Sequence, residues 1–567
     1  MKRFLKVLPV IAILIAVFVF SVNAQIIRTA SELVDFEEYT SYEEMMEFLQ
    51  EIQATSTEML LSSYGETIEG RKIPYAIFGR PLITQPWEAM LSGKPIVIMA
   101  ANIHGGERTV REGLLLLTRE LAEIGSSMND LLDDLVILMV PSINPDGFTR
   151  GSRGNSTGVD MNRDYIKLEQ QALYHWVTDM LLTWQPHLWL DGHNGGAVPY
   201  NICYQGPAHA ASDQRITELC DMEIFPFITQ EMAKEGYKSW YYSGGNETRW
   251  NTAPTEPRIS INYAGFINNF GILFESPRQD RKTGALSALV ASRALLQYVA
   301  DNPNKIMDTV NRARRETIEM GMNATGDIPV QMTKEAEDWK VSYEIVTREG
   351  GTPDPNNPRR ITGGTEKIVQ ITNADLMKKP VATKTRPRPY AYILEPRAKK
   401  AVELLKKQKI TIEVLQEDTE LDIEAYNATE INRGTIYDHP GAVQSIVCAD
   451  EMVKRTQTFP KGTYIIRTGQ AMGRIICHML EPETTDNVIT WNTMDALLPR
   501  VGGGQGGRGG AMPTAQMAAR GGGGGARAGQ PPTGARAGQR GGQQRQAIIP
   551  IFKLMVPTAL KTKVLDK

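Results

Sequence analysis

Two side chains three residues apart, His104 and Glu107, stand where an apolar run gives way to a polar one in KPIVIMAANIHGGERTVREGLLLLTRE (Lys94–Glu120). An imidazole and a carboxylate at that spacing can share a divalent cation. A catalytic zinc site commonly takes three protein ligands and keeps a fourth position for water. The pair alone is a weak signal. A capped helix start with a surface histidine reads the same way, and seven histidines in such a chain give about half an H-x-x-E by chance. What the pair needs is a third ligand at another strand end.

His193, in WLDGHNGG, ends a short apolar run and is the best candidate. The other histidines fit less well. His175 lies mid-helix in a Tyr-Trp context, and His187 precedes a strand. His209 sits in an Ala-rich turn, and His439 and His478 fall far downstream.

The elements that must position these groups are legible from pattern. Pro95–Ala101 reads as a buried strand followed by a loop and a helix from about Arg108. Ligands in α/β sheets gather outside the carboxyl ends of strands, which is where His104 and Glu107 stand. Ser41–Gln53 has helical spacing with a Thr40 or Ser41 cap, and Leu60–Gly79 reads as a hairpin turning at Glu69-Gly70. Asp134–Pro141, His187–Leu190 and Phe270–Phe274 read as further strands. Ile166–Thr183, Ile216–Glu235 and Gly284–Ala300 read as helices. Strands alternating with helices predict an α/β domain with a largely parallel or mixed central sheet flanked by helices.

The pattern changes downstream. Gly350–Arg360 reads as a loop or linker and Lys384–Pro389 as a second break. Short strands (Pro389–Leu394, Thr411–Leu415, Tyr464–Arg467, Ala547–Val556) and a basic helix (Arg397–Lys407) predict a smaller α+β domain. The divisions expected are 1–24, 25–315, a linker and domain start over 316–390, and a C-terminal domain over 391–567. The Gly/Arg-rich stretch 501–546 contains no Asp, Glu or Lys and is expected to be a disordered insertion in that domain.

Length gives room for roughly two to four domains. A hydrophobic content of 41% and charged content of 22% suit a globular chain with a sizeable core. A net charge of −3 gives no general argument for nucleic acid or an anionic membrane. Three positive charges within Met1–Lys6, an apolar Val7–Val22 and the small-residue site Val22-Asn23-Ala24 read as a signal peptide cleaved after Ala24. The expectation is export, periplasmic or secreted, with no membrane association after cleavage. The four cysteines include no C-x-x-C pair, which argues against a cysteine zinc site and leaves disulfides and buried thiols both open.

Over roughly residues 37–300 the sequence resembles the zinc carboxypeptidases (peptidase family M14, carboxypeptidase A type). The resemblance rests on ordered pieces: Tyr42, GETIEGR (Gly65–Arg71), HGGE, NPDGF (Asn144–Phe148), RGNSTGVDMNRDY (Arg153–Tyr165), the His193 loop and FGILFES (Phe270–Ser276). It implies one zinc ion per chain, bound by His104, Glu107 and His193. It implies Asn162 and Arg163 for the substrate's terminal carboxylate, which suits a planar guanidinium fork. Arg153 would polarise the scissile carbonyl, with Arg150 a nearby rival, and Asp160 would orient His104. Glu275 would be general base and then general acid. Tyr241 and Tyr242 stand beside Ser243-Gly244-Gly245, where the family has a flexible tyrosine, and Tyr242 is taken as substrate-binding. Glu247 and Arg258 are candidates to line the pocket.

The sequence departs from the family at Gly106, where a bulky or basic residue often stands. Gly105-Gly106 are expected to leave the pocket open on one side. The implied partner is a peptide with a free C-terminal carboxylate, with no nucleic acid. The implied activity is that of an exported metallocarboxypeptidase. A hydrolase of cell-wall stem peptides or acyl-amino acids is an alternative on the same fold, and a non-catalytic peptide-binding protein is an alternative of another class.

Overall fold

The computed structural model describes residues 26–355, 357–501 and 546–566. The expected signal peptide and nearly all of the Gly/Arg-rich stretch lie outside them. No helix among the described residues is long and apolar enough to cross a membrane.

An eight-stranded mixed sheet organises the N-terminal part. Its order is Met59–Glu66, Lys72–Phe78, Val136–Val140, Ile96–Ala101, Leu188–His193, Phe270–Glu275, Ile202–Gln205 and Ser239–Tyr241. Four consecutive members, from Val136–Val140 to Phe270–Glu275, run parallel. The Ile96–Ala101 strand shows why the pattern holds. Val97, Met99 and Ala101 join one apolar cluster, while Ile96, Ile98 and Ala100 join another. A strand covered on both faces needs a continuous apolar run, not an alternating one.

One face is covered by the helices Tyr42–Thr55, Thr109–Ala122 and Arg281–Asp301. The last two pack closely at Gly113, where a Cβ would lie 2.8 Å from the Ala285 carbonyl oxygen. The other face is covered by Gln171–Trp184, by Ser260–Phe266 and by the C-terminal part. The helix expected from Ile166 begins only at Gln171. The Asp164 carboxylate accepts the Glu169 and Gln170 amides, and Leu168 is left-handed with φ 48°, so the preceding residues form a turn. Both Gln171–Trp184 and Gln214–Lys234 contain a π-helical stretch, at Trp176–Leu181 and Cys220–Ile224.

The stretch around 350 is not an irregular linker. Asp327–Glu349 and Thr365–Pro387 pair as a long antiparallel ribbon, with the short strands Thr352–Asp354 and Asn357–Thr362 at its tip. Lys384–Pro389, expected as a break, mostly continues the second strand of the ribbon. The ribbon is tied to the N-terminal part, because Arg249–Asn251 pair in parallel with Asp375–Met377. The buried Trp250 ring meets Tyr343 edge-on, 4.9 Å between centroids. Gly and Pro at the ribbon's tip masked long strands whose apolar residues meet the rest of the fold only in part.

The C-terminal part is built on a second sheet, whose pairings are all antiparallel, with helices at Lys399–Lys407 and Gly473–Leu480. It abuts the first without a gap. Gly321, on the helix Pro303–Met322, has the Thr468 carbonyl carbon 2.2 Å from where a Cβ would stand. Gln408 donates to the carbonyls of Tyr165 and Ile166 and accepts from the Tyr263 hydroxyl. All four cysteines are free and buried.

Candidate active site

The carboxyl ends of three neighbouring parallel strands converge. Ile96–Ala101 leads into the loop carrying His104 and Glu107, Leu188–His193 ends on His193, and Phe270–Glu275 ends on Glu275. In register, Glu275 lies directly opposite His193.

The loop after Ala101 is held by Asn102, left-handed with φ 64°. Its amide donates to the carbonyls of His104, Gly105 and Glu107 and accepts from Ser142. Gly105 is buried against the start of the helix Pro145–Arg150, and a Cβ there would lie 2.0 Å from the Gly147 carbonyl carbon. Gly105 therefore serves close backbone approach and opens no pocket. Of the two glycines only Gly106 is exposed.

His104 Nδ1, His193 Nδ1 and Glu107 Oε2 face one another. The two imidazole nitrogens are 3.0 Å apart, and Glu107 Oε2 lies 3.0 Å from His104 Nδ1 and 2.8 Å from His193 Nδ1. Donors about 2.0–2.1 Å from a tetrahedral zinc stand at comparable separations. Each imidazole gives its other nitrogen to a carboxylate: His104 Nε2 to Asp160 at 3.1 Å, His193 Nε2 to Asp191 at 2.9 Å. That arrangement turns both Nδ1 lone pairs inward, as a metal site requires. The donor set and its supports fit zinc.

Asp191 was not singled out in the sequence. It had a signal, because residues i and i+2 of a strand share a face, and Asp191 and His193 are so spaced.

Asp160 ties several parts together. Oδ1 takes His104 and the Asn162 amide at 2.9 Å, while Oδ2 takes Arg153 Nε at 3.0 Å. It also caps the one-turn 3-10 segment Met161–Arg163. Burial acts to raise its pKa, but His104, Arg163 and Arg153 hold it below the usual carboxylate range. Glu107 behaves alike: burial is outweighed by His104 and His193.

Arg153 Nη1 donates to Glu107 Oε1 at 3.1 Å, and its side chain is 52% exposed beside the ligand cluster. The rival Arg150 points elsewhere, to the Ser156 carbonyl and Glu69. Asn162 accepts the Ser260 amide at 2.8 Å. Arg163 Nη1 donates to the Asn162 carbonyl at 2.7 Å.

Glu275 is 7% exposed. Its carboxylate crowds Gly195, where a Cβ would lie 2.6 Å from Oε2. Burial pushes its pKa up to about 8; His193 opposes this, and Glu107 and Asp191 add to it. Tyr242 faces the same cluster. Its phenol is raised first by the charge of Glu275, then by burial and Glu107.

The other histidines are accounted for by packing. His187 Nδ1 accepts the Ile96 amide, and His175 pairs with Asp179. His209 and His478 both pack against Phe266, the first tilted and the second edge-on. Glu169, Asp438 and His439 form a second group of ligand type, but Lys167 Nζ already stands 3.2 Å from Glu169 and 3.7 Å from Asp438. That cluster is an ion-pair network.

Residues 45–223 match the zinc carboxypeptidase family. Carboxypeptidase 2 of Trichophyton tonsurans is 25% identical over 460 residues, covering 75% of this chain and 78% of its own length. Human carboxypeptidase D is 28% identical over 248 residues, covering 35% of this chain and 18% of its own. Among solved structures, a metallo-carboxypeptidase from Burkholderia cenocepacia aligns with 20% identity and a TM-score of 0.38, covering 46% of this chain and 70% of its own. The resemblance read from the sequence is borne out by the family match and the curated relatives.

Proposed function

From the premise that the chain is a zinc-dependent metallopeptidase of the carboxypeptidase class, we propose that it is exported and removes C-terminal residues from peptides, with Glu275 as the base. The observation that carries the reading is the juxtaposition of His104, Glu107 and His193 with a buried Glu275 paired in register with His193.

One zinc ion held by His104, Glu107 and His193 would supply a Lewis acid and lower the pKa of a water towards about 7. Glu275 receives a proton from the attacking water and later delivers it to the leaving amine. A buried carboxylate suits this, since raised basicity brings it closer to the operating pH. Arg153, anchored on Glu107 and Asp160 yet half exposed, donates to the oxygen on which negative charge develops. Asn162 and Arg163 hold the peptide's terminal carboxylate, and the Asp160 cap fixes their turn. Tyr242 lines the site beside Glu275. The basic, then apolar, leader of residues 1–24 supports export.

The test is the pattern of release from a peptide of mixed sequence, followed by mass spectrometry. Residues are expected to leave one at a time from the C-terminus, and Glu275→Gln is expected to lower kcat by about 10²–10⁴-fold while the protein keeps its zinc. Cleavage at internal bonds, or full activity in Glu275→Gln, would contradict the assignment.

A further inference from the structure

The Asn162–Arg163 turn is covered from the C-terminal part. Strands Thr419–Ile436 and His439–Cys448 form an antiparallel hairpin whose two-residue tip is Tyr437-Asp438. Tyr437 has φ 51°, the left-handed conformation such tight turns demand. The hairpin brings this residue to Arg163, 274 positions earlier in the chain.

Three contacts define the junction. The Tyr437 hydroxyl accepts Arg163 Nε at 3.0 Å. The guanidinium of Arg163 lies 5.8 Å from the Tyr437 ring centroid and that of Arg258 lies 5.2 Å from it. Trp491, also from the C-terminal part, stands 5.7 Å from Arg258, which pairs with the buried Asp486 at 3.0 Å. Two cations thus stand against one phenol ring, each within the range of a cation–π contact.

A tyrosine lying over an arginine is often only surface packing. Two features argue for more. Tyr437 remains 56% exposed despite these contacts, so the residue is reachable by a ligand. The bonds to Arg163 also fall at Nε and Nη1, on Tyr437 and on the Asn162 carbonyl. That fixes the guanidinium plane and leaves Nη2 for another acceptor. A phenol that accepts one hydrogen bond still has its own proton to donate.

We propose that Tyr437 is a substrate-binding residue supplied by the C-terminal part. It locks the Arg163 guanidinium and donates its hydroxyl proton to the same terminal carboxylate. The inference rests on the reading of Arg163 as carboxylate anchor. It makes the C-terminal hairpin one wall of the binding site.

The test is calorimetric titration of the zinc-loaded Glu275→Gln protein with an N-acylated dipeptide, as the free acid and as its amide. The parent is expected to bind the acid at least tenfold more tightly. Adding Tyr437→Ala is expected to weaken acid binding about tenfold and leave the amide unchanged. Tyr437→Phe, which keeps the ring, is expected to weaken acid binding about threefold, and it decides the matter if the alanine variant does not fold. Unchanged acid binding in Tyr437→Phe, or equal loss of acid and amide in Tyr437→Ala, overturns the role of Tyr437 alone. A parent that does not distinguish acid from amide overturns Arg163 as anchor, and Tyr437 with it.

Discussion

At the residue scale, the site depends on carboxylates that never touch the metal position. Asp191 and Asp160 fix the far nitrogens of His193 and His104. Asp191→Asn and Asp160→Asn are each expected to weaken zinc binding about 10–100-fold, measured by competition with a chelating dye, while the fold stays intact. As the proposed base, Glu275 is expected to set the pH behaviour. A base must be unprotonated, so activity falls as pH drops through its pKa. Burial raises that pKa from 4.5 to about 8, and a cation among the neighbouring ligands pulls it back down. The acid limb of kcat/KM is therefore expected between pH 4.5 and 8; a limb at or below 4.5 contradicts the burial argument. Stability has the opposite sense. A raised carboxyl binds its proton more tightly in the folded state, so the metal-free protein loses stability as pH rises through that window. Metal-free Glu275→Gln is expected to melt higher than the parent at pH 9 and at the same temperature near pH 4. The nine site residues named from the sequence carried signals of type, spacing and resemblance. Asp191 carried a weaker one, its i, i+2 relation to His193. Tyr437 carried none, because nothing local marks a hairpin tip that reaches a turn 274 positions away.

At the element scale, the candidate ligands meet because parallel strands end together. The strands were readable from their apolar runs, since both faces of Ile96–Ala101 are buried. The helix boundary near Gln171 was not, because it depends on the Asp164 carboxylate taking two amides ahead of the first turn. The ribbon of Asp327–Glu349 and Thr365–Pro387 was missed for a related reason: its tip composition resembles a linker, and its support comes from Trp250, far away in sequence. The two glycines after His104 make contrasting predictions. Gly105→Ala drives a methyl into the Gly147 backbone, which no rotamer change can relieve. It is expected to cost about 1–3 kcal/mol in denaturant unfolding and to weaken zinc binding. Gly106→Ala comes nearest the Gly151 oxygen, at 3.2 Å, and is exposed; it is expected to stay within about 0.5 kcal/mol. Equal effects at the two positions would contradict the packing account.

At the scale of the whole molecule, the two parts share one apolar cluster, in which Ile98, Trp189 and Phe266 join Leu394, Leu405 and Ile476. Polar contacts reinforce it: Arg474 reaches from the second part to Asn268, the Ala211 carbonyl and Asp213. Both parts are therefore expected to unfold in a single calorimetric transition, and two resolved transitions would contradict a shared core. The sequence made the two α/β and α+β regions legible but not their union, because the joining residues look like ordinary core in each. The proposed activity is that of a zinc-dependent enzyme that reads a free terminal carboxylate. Its most direct test compares the protein on one peptide, as free acid and as C-terminal amide, before and after chelation. Release of the terminal residue is expected from the acid alone, lost with chelator and restored by zinc. Equal cleavage of the amide, or undiminished activity in protein shown to hold no metal, would contradict it.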